Sequence, residues 1–267
     1  MRYRRFLAGV HAALAPPTYL EIGINRGGTL ALSRTRTIAI DPDFHLEHPV
    51  PADAVLFREA SDDYFQRGDR LESFEGRPIS LAFIDGMHWV EYALRDFINV
   101  ERHADWSTVI VFDDVFPRKP AHAQRDRVTK AWTGDVYKLV DILARHRPDL
   151  ICLGIDTEPA GVLLVLGADP ANRVLTERYD EIVGDAMTPD PQEVPVDILE
   201  RRGVLDGAEV LAGSFWTVLR DGRTADAARK EGLRRLRRAL RRDFAAVRGS
   251  RRAVRSLRRA LTPAGGG

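Results

Sequence analysis

Two apolar runs of this chain end in groups that can do chemistry. LAFIDGMHW (81 to 89) places Asp85 after its first four residues and His88 three positions on, and TVIVFDD (108 to 114) ends in Asp113 and Asp114. If the runs are neighbouring parallel strands, their ends open into the crevice where open α/β sheets bind ligands. Three carboxylates converging there repel one another unless a cation sits between them. An all-oxygen set suits Mg²⁺ or a similar hard divalent ion, so Asp85, Asp113 and Asp114 are the candidate metal ligands. His88 has an ordinary pKa near neutrality and lies close enough to accept a proton, with Asp85 beside it as the second candidate catalytic group. The plain alternatives are strand-end aspartates without a metal and a hydrogen-bonded histidine at a helix start.

A second cluster lies upstream, where the run 18 to 24 (TYLEIGI) continues as Asn25-Arg26-Gly27-Gly28. Glycines there let the chain turn sharply and let a ligand approach without a Cβ in the way. The spacing from Glu21 is E-x-G-x-x-x-G, through Gly23 and Gly27, and differs from the dinucleotide fingerprint G-x-G-x-x-G. A dinucleotide needs a free helix start for its pyrophosphate. S-adenosylmethionine has no phosphate and ends in an amino acid, which fits acids and backbone carbonyls around the turn. The next run ends in Asp41, placed to take ribose hydroxyls. The third ends in Ser61 and Asp62, placed to border an adenine. The candidate cofactor residues are therefore Glu21, Gly23, Asn25, Gly27, Asp41, Ser61, Asp62 and Asp85. The glycine spacing disfavours a nicotinamide oxidoreductase.

These positions require an alternating scaffold. Strands are expected at 18 to 24, 37 to 41, 54 to 61, 79 to 86 and 108 to 114. Helices are expected after the glycine turn, over 61 to 74, over 88 to 104 and over 134 to 148. A closing hairpin follows in DLICLGID and AGVLLVLG. Alternation of this kind builds a doubly wound, mostly parallel sheet with right-handed crossovers. The stretch 117 to 133 is long for a strand-to-helix link and carries Arg118, Lys119, His122, Arg125, Arg127 and Trp132. It reads either as a substrate lid or as a solvated loop.

EIGINRGGT, TIAIDPD, AFIDGMHW and VIVFDDVFP together resemble the class I S-adenosylmethionine-dependent methyltransferases. The likeness is greatest to the metal-dependent O-methyltransferase branch with its catechol and antibiotic-sugar enzymes, and it covers roughly 18 to 168. It implies a Rossmann-like α/β sheet of seven strands with the last antiparallel. It also implies Glu21, Gly23, Asp41 and Ser61 on the cofactor, and Mg²⁺ on Asp85, Asp113 and Asp114. The catechol enzymes have Asn where Asp114 stands and Lys where His88 stands. The sugar enzymes have three Asp and an acidic base at the position of Met87. The chain thus combines the sugar-type triad with a different base. The expected reaction is O-methylation of a sugar, saccharide or glycosylated metabolite. The alternatives are a catechol-like phenol acceptor, or a catalytically silent cofactor-binding assembly subunit.

Three regions are expected: a methyltransferase domain over 1 to 170, an extension over 171 to 222 packing on it, and a basic tail over 223 to 267. Within the extension, VPVDILERRGVL reads as a helix and SFWTVLR as a strand. The net charge of +1 hides an asymmetry: from Arg223 onward 15 Lys and Arg face 3 Asp and Glu, while the first 222 residues hold 25 basic and 36 acidic side chains. The tail places Leu233, Leu236, Leu240, Phe244 and Val247 on one helical face, resumed by Val254, Leu257 and Leu261. It reads as a helix packing on its own domain or on a twin subunit, as a peripheral contact with a membrane or anionic polymer, or as a disordered tail. No recognition motif accompanies the charge, so sequence-specific nucleic-acid binding is not expected. One cysteine, Cys152, excludes an intrachain disulfide. The opening helix is too short and too interrupted for a signal peptide, so a cytoplasmic enzyme, as a homo-oligomer such as a dimer, is the expectation.

Overall fold

A computed structural model describes residues 1–223 and 229–245. The chain opens with α1 (Tyr3–Leu14) and alternates β1 (Thr18–Ile22), β2 (Arg36–Ile40), β3 (Ala54–Phe57), α2 (Ser61–Gln66), β4 (Ile79–Ile84), α3 (Val90–Glu101), β5 (Ala104–Phe112) and α4 (Leu139–His146). The hairpin β6 (Ile151–Asp156) and β7 (Val162–Leu166) follows. Then come α5 (Val174–Glu177), α6 (Tyr179–Ala186), α7 (Val196–Leu199), β8 (Leu205–Asp206), α8 (Gly207–Leu211), α9 (Phe215–Gly222) and α10 (Arg229–Asp243).

One sheet runs in the order β3-β2-β1-β4-β5-β7-β6-β8. Strands β1 to β5 are parallel, β7 is inserted antiparallel between β5 and β6, and β8 pairs in parallel with β6. The expected Rossmann-like sheet is therefore present, extended by a two-residue eighth strand. Because β1 and β4 are adjacent and β4 and β5 are adjacent, the ends carrying Gly23, Asp85 and Asp113 come out side by side.

Alternation along the strands divides the core in two. Leu20, Ile22, Ala82 and Ile84 face α2, α3 and α4. Tyr19, Leu81 and Phe83 face the other side, where α1, α9 and α10 bring Phe6, Leu7, Val10, Phe215, Leu219, Leu233, Leu236 and Leu240. Trp106 of β5 holds the last two helices down, its indole filling the space a side chain would need at Gly222 and Gly232.

Several local expectations change. The glycine turn leads into a single 3-10 turn at Leu30–Leu32 and no α-helix, and β3 stops at Phe57. The polar helix at 61 stops at Gln66, and the one predicted at 134 begins as a 3-10 turn and becomes α-helical only at Leu139. SFWTVLR is helical: Phe215, Trp216, Leu219 and Gly222 fall on one buried face at helical spacing. Within VPVDILERRGVL only Val196–Leu199 is helical. The apolar side of α10 is buried against its own chain, Phe244 included, while Val247, Val254, Leu257 and Leu261 lie outside the described residues. Among the described residues no helix is long and apolar enough to cross a membrane.

Candidate active site

The glycine loop sits against the end of β4. Gly23 has φ +92°, and a Cβ there would overlap the Asp85 carbonyl, so the loop can lie on the strand end only with glycine at this position. Gly27 (φ 76°) and Asn25 (φ 46°) complete the turn, asparagine being among the side chains that tolerate the left-handed region. Asp41 fixes its path: Oδ2 accepts from the backbone N–H of Ile24 (2.7 Å) and Asn25 (2.8 Å), and Oδ1 from that of Asp43 (2.7 Å). The carboxylate expected to meet a ribose is thus engaged in shaping the loop, leaving remaining lone pairs for a ligand.

Glu21 is fully buried under the loop, accepting from the Tyr19 hydroxyl (2.7 Å) and the Thr29 hydroxyl (2.6 Å). Burial pushes its pKa up to about 7 against the pull of those two donors. At the next strand end, the Ser61 hydroxyl donates to Asp96 (2.5 Å), and Asp62 pairs with Arg95 (2.8 Å). Both residues therefore bind α2 to α3.

Asp96 is wholly buried, which pushes its pKa up to about 7, with Ser61 opposing. Its folded pKa thus lies above the ordinary carboxylate value, so the contribution of its neutral form is present at acid pH and lost as pH rises through about 7. Asp96→Asn should accordingly raise the melting temperature clearly more at pH 8 than at pH 5. Melting curves at the two pH values check this, and an equal shift at both would contradict it.

Beyond β4 and β5 three side chains meet. His88 Nε2 stands 3.3 Å from Asp85 Oδ1, and Nδ1 stands 3.3 Å from Asp114 Oδ2 and 3.2 Å from the Trp132 carbonyl. Among the described residues, Asp85, His88 and Asp114 are the one group of potential metal ligands whose atoms all lie within 4.8 Å. Asp113 does not join them. Successive residues leaving a strand point to opposite sides, and Asp114 adopts φ 59°, which takes it to the His88 side. Asp113 is buried, accepts from the Asp114 N–H (2.9 Å), and lies near enough to Tyr3 and Arg4 for charge effects between them.

Burial and the neighbouring Asp85 push the Asp114 carboxyl up to about 7, with His88 opposing. Burial, Asp114 and Asp85 hold Asp113 well above the usual carboxylate range. For His88, burial pulls the pKa down, and Asp85, Asp114 and the Trp132 carbonyl outweigh it, so the imidazole is raised. A non-glycine residue in the left-handed region beside crowded, buried carboxyls marks a strained polar site that a divalent cation would relieve. The donor set fits such an ion: two carboxylates from Asp85 and Asp114, with an imidazole nitrogen beside them.

The stretch 117 to 133 is anchored at several points. Trp132 stacks on His88 (centroids 4.9 Å apart, 14° between planes). Arg125 makes a two-pronged pair with Glu91 (2.6 and 3.0 Å) and a third bond to the fully buried Asp135 (2.8 Å). Asp135 also caps α3 from outside, Oδ1 accepting from the Val90 N–H (2.8 Å). Trp89 donates its indole N–H to the Arg125 carbonyl (3.0 Å), which commits it to structure. Gly-Asp at 134–135 does carry a helix-cap signature, but it caps a helix 45 positions upstream, which spacing alone does not reveal. Tyr3 and Arg4 also reach the site, and no pattern in the opening helix points to them.

Residues 20–115 match the family model described as a methyltransferase domain. That segment holds the glycine loop, Asp41, Ser61 and all the strand-end carboxylates. No curated protein matches the chain. Among solved structures, the chain is similar to a putative O-methyltransferase from Klebsiella pneumoniae, at 14% identity over 62% of this chain and 80% of that one, with a TM-score of 0.48. It is also similar to the O-methyltransferase TomG from Streptomyces achromogenes, at 19% identity over 62% and 80%, TM-score 0.49. A Bacillus cereus O-methyltransferase in complex with SAH is similar at 16% identity over 62% and 80%, TM-score 0.44. Over the matched segment the resemblance to class I methyltransferases drawn from the sequence holds.

Proposed function

We propose that this chain, whose residues 20–115 form a methyltransferase domain, moves a methyl group from S-adenosylmethionine to a hydroxyl oxygen with the help of a divalent cation. We assign the acceptor to the sugars and saccharide-bearing metabolites. The observation that carries the reading is the meeting of Asp85, His88 and Asp114 at a strand end against which the glycine loop is packed.

Bound in the loop, S-adenosylmethionine supplies a methyl group already activated on a sulfonium. A divalent cation held by Asp85 and Asp114 would supply acidification and orientation of an acceptor oxygen. The chain's own residues do the rest. Gly23 lets the loop pack directly on the β4 end, which sets the donor's loop beside Asp85. His88 receives the hydroxyl proton. With Nδ1–H donating to the Trp132 carbonyl, Nε2 on the Asp85 side is the nitrogen that takes it, and the Asp85 carboxylate 3.3 Å away favours the imidazolium that results. The stacked Trp132 holds the imidazole plane and walls one side against water. Its exposed flank offers an aromatic surface of the kind that packs on sugar rings.

Transfer of labelled methyl from S-adenosylmethionine should be followed against a panel of saccharides and a panel of catechols. Saccharide products that vanish in His88→Ala, with S-adenosylhomocysteine affinity kept within about threefold, support the assignment of base and acceptor. Methylation confined to catechols would move the acceptor class, and no transfer to either panel, with S-adenosylhomocysteine bound, would favour a cofactor-binding assembly role.

A further inference from the structure

The loop after β1 is short of positive charge. Only a 3-10 turn follows it, so no helix start faces the loop with free N–H groups. Four of its backbone donors are already used: those of Ile24 and Asn25 by Asp41, that of Gly23 by Ile40 and that of Gly27 by Ile24. The acids around it are Glu21, Asp41, Asp85 and Asp113, and the loop's own cation, Arg26, is exposed and paired with Glu47 (3.3 Å). A ligand ending in an amino acid brings an ammonium, which such a place welcomes, and a carboxylate, which it repels.

Arg4 is the cation that enters this space. Its guanidinium lies flat on the loop at Gly28: a Cβ there would stand 2.5 Å from Cζ and 2.6 and 2.7 Å from the two terminal nitrogens. Among the described residues Arg4 has no ion-pair partner, and its hydrogen bond runs from Nε to the Tyr3 hydroxyl (3.3 Å). Both terminal nitrogens are left to donate, in the forked arrangement that matches a carboxylate. The residue is well placed to hold that position. Tyr3 stacks on Phe83, the Tyr3 N–H donates to the Glu158 carbonyl (3.0 Å), and Phe6, Leu7 and Val10 bury the helix behind it.

We propose that Arg4 binds the carboxylate of the methionine end of S-adenosylmethionine, and that Gly28 is glycine to let the guanidinium reach it. The proposal rests on the reading of the β1 loop as the cofactor site. Arg4 touches the cofactor and no reacting atom, so it acts in binding.

Two probes test it on the full chain by titration calorimetry: S-adenosylhomocysteine, which carries the carboxylate, and 5′-methylthioadenosine, which lacks the amino acid end. Arg4→Gln should weaken the first about 10- to 100-fold and the second less than about twofold, the loss expected for a charged hydrogen-bonded pair. Gly28→Ala, which displaces the guanidinium from the other side, should give the same one-sided loss. Arg4→Lys should recover part of it. Unchanged S-adenosylhomocysteine affinity in Arg4→Gln overturns the proposal. So does an equal loss for both probes, which would mean that Arg4 only balances Asp113 and shapes the loop. A wild-type chain that binds neither probe would instead overturn the cofactor reading on which the proposal stands.

Discussion

Asp114→Asn should lower turnover by about 10- to 100-fold while the protein still folds, since an amide oxygen can still approach a divalent cation but brings no charge to it. Asparagine is among the residues that accept the left-handed backbone Asp114 adopts, and it keeps the shape of the side chain, so the change removes charge and little else. An excess of chelator should silence the wild-type enzyme altogether, and added Mg²⁺ or Mn²⁺ should restore it. In the variant, the metal concentration needed for half-maximal rate should rise steeply. Steady-state rates across a metal titration measure both effects. Full turnover in excess chelator would remove the cation from the account, and a variant whose metal titration matches wild type would remove Asp114 as its ligand. Asp113→Asn provides a comparison, since Asp113 stands outside the Asp85–His88–Asp114 group. A smaller loss in that variant is expected.

Gly134→Ala should cost roughly 3–5 kcal/mol of stability, in the range of the most damaging single substitutions. Gly134 has φ 58°, and a Cβ on it would overlap the His88 carbonyl. The left-handed backbone alone penalises alanine by about 1–2 kcal/mol. The overlap then forces the turn away from His88. That lengthens the bond from the Asp135 N–H to the His88 carbonyl (3.2 Å) and draws Asp135 from its cap on Val90 and its pair with Arg125. Asp135 is fully buried, and breaking a buried ionic network from one side leaves charges without partners. Urea unfolding at pH 7.5 checks the prediction, and a midpoint close to wild type would show that the turn moves freely. The turn also carries Trp132 toward His88, so activity should fall further than stability alone explains.

The scaffold of the site was readable because it depends on periodicity. LAFID and TVIVFDD are uninterrupted apolar runs, and such runs in an alternating chain become buried parallel strands whose ends must cluster. The glycines were equally plain, since Gly23 lies where a strand must turn beneath a ligand. Harder to see was which way each acid points. Asp113 and Asp114 are neighbours in sequence and part company in space because one backbone angle turns positive, and nothing in the pair Asp-Asp announces that. SFWTVLR misled because aromatic and β-branched residues favour strands locally, while packing of Phe215, Trp216 and Leu219 on the sheet decided for a helix. Arg125, Glu91 and Asp135 meet from three separated segments, and Arg4 arrives from a helix that as a sequence reads only as amphipathic.

The opening helix has a consequence for how the protein is made. Its C-terminal carbonyls, at Leu14 and Ala15, accept from Arg223, which is 209 positions after Leu14, and its inner face shares a core with α9 and α10. A nascent chain therefore makes Arg4 well over a hundred residues before the helices that brace α1. Until then the chain can assemble its central strands with one corner of the binding loop still unsupported, so competence for ligand should arrive abruptly with α9 and α10 rather than grow with chain length.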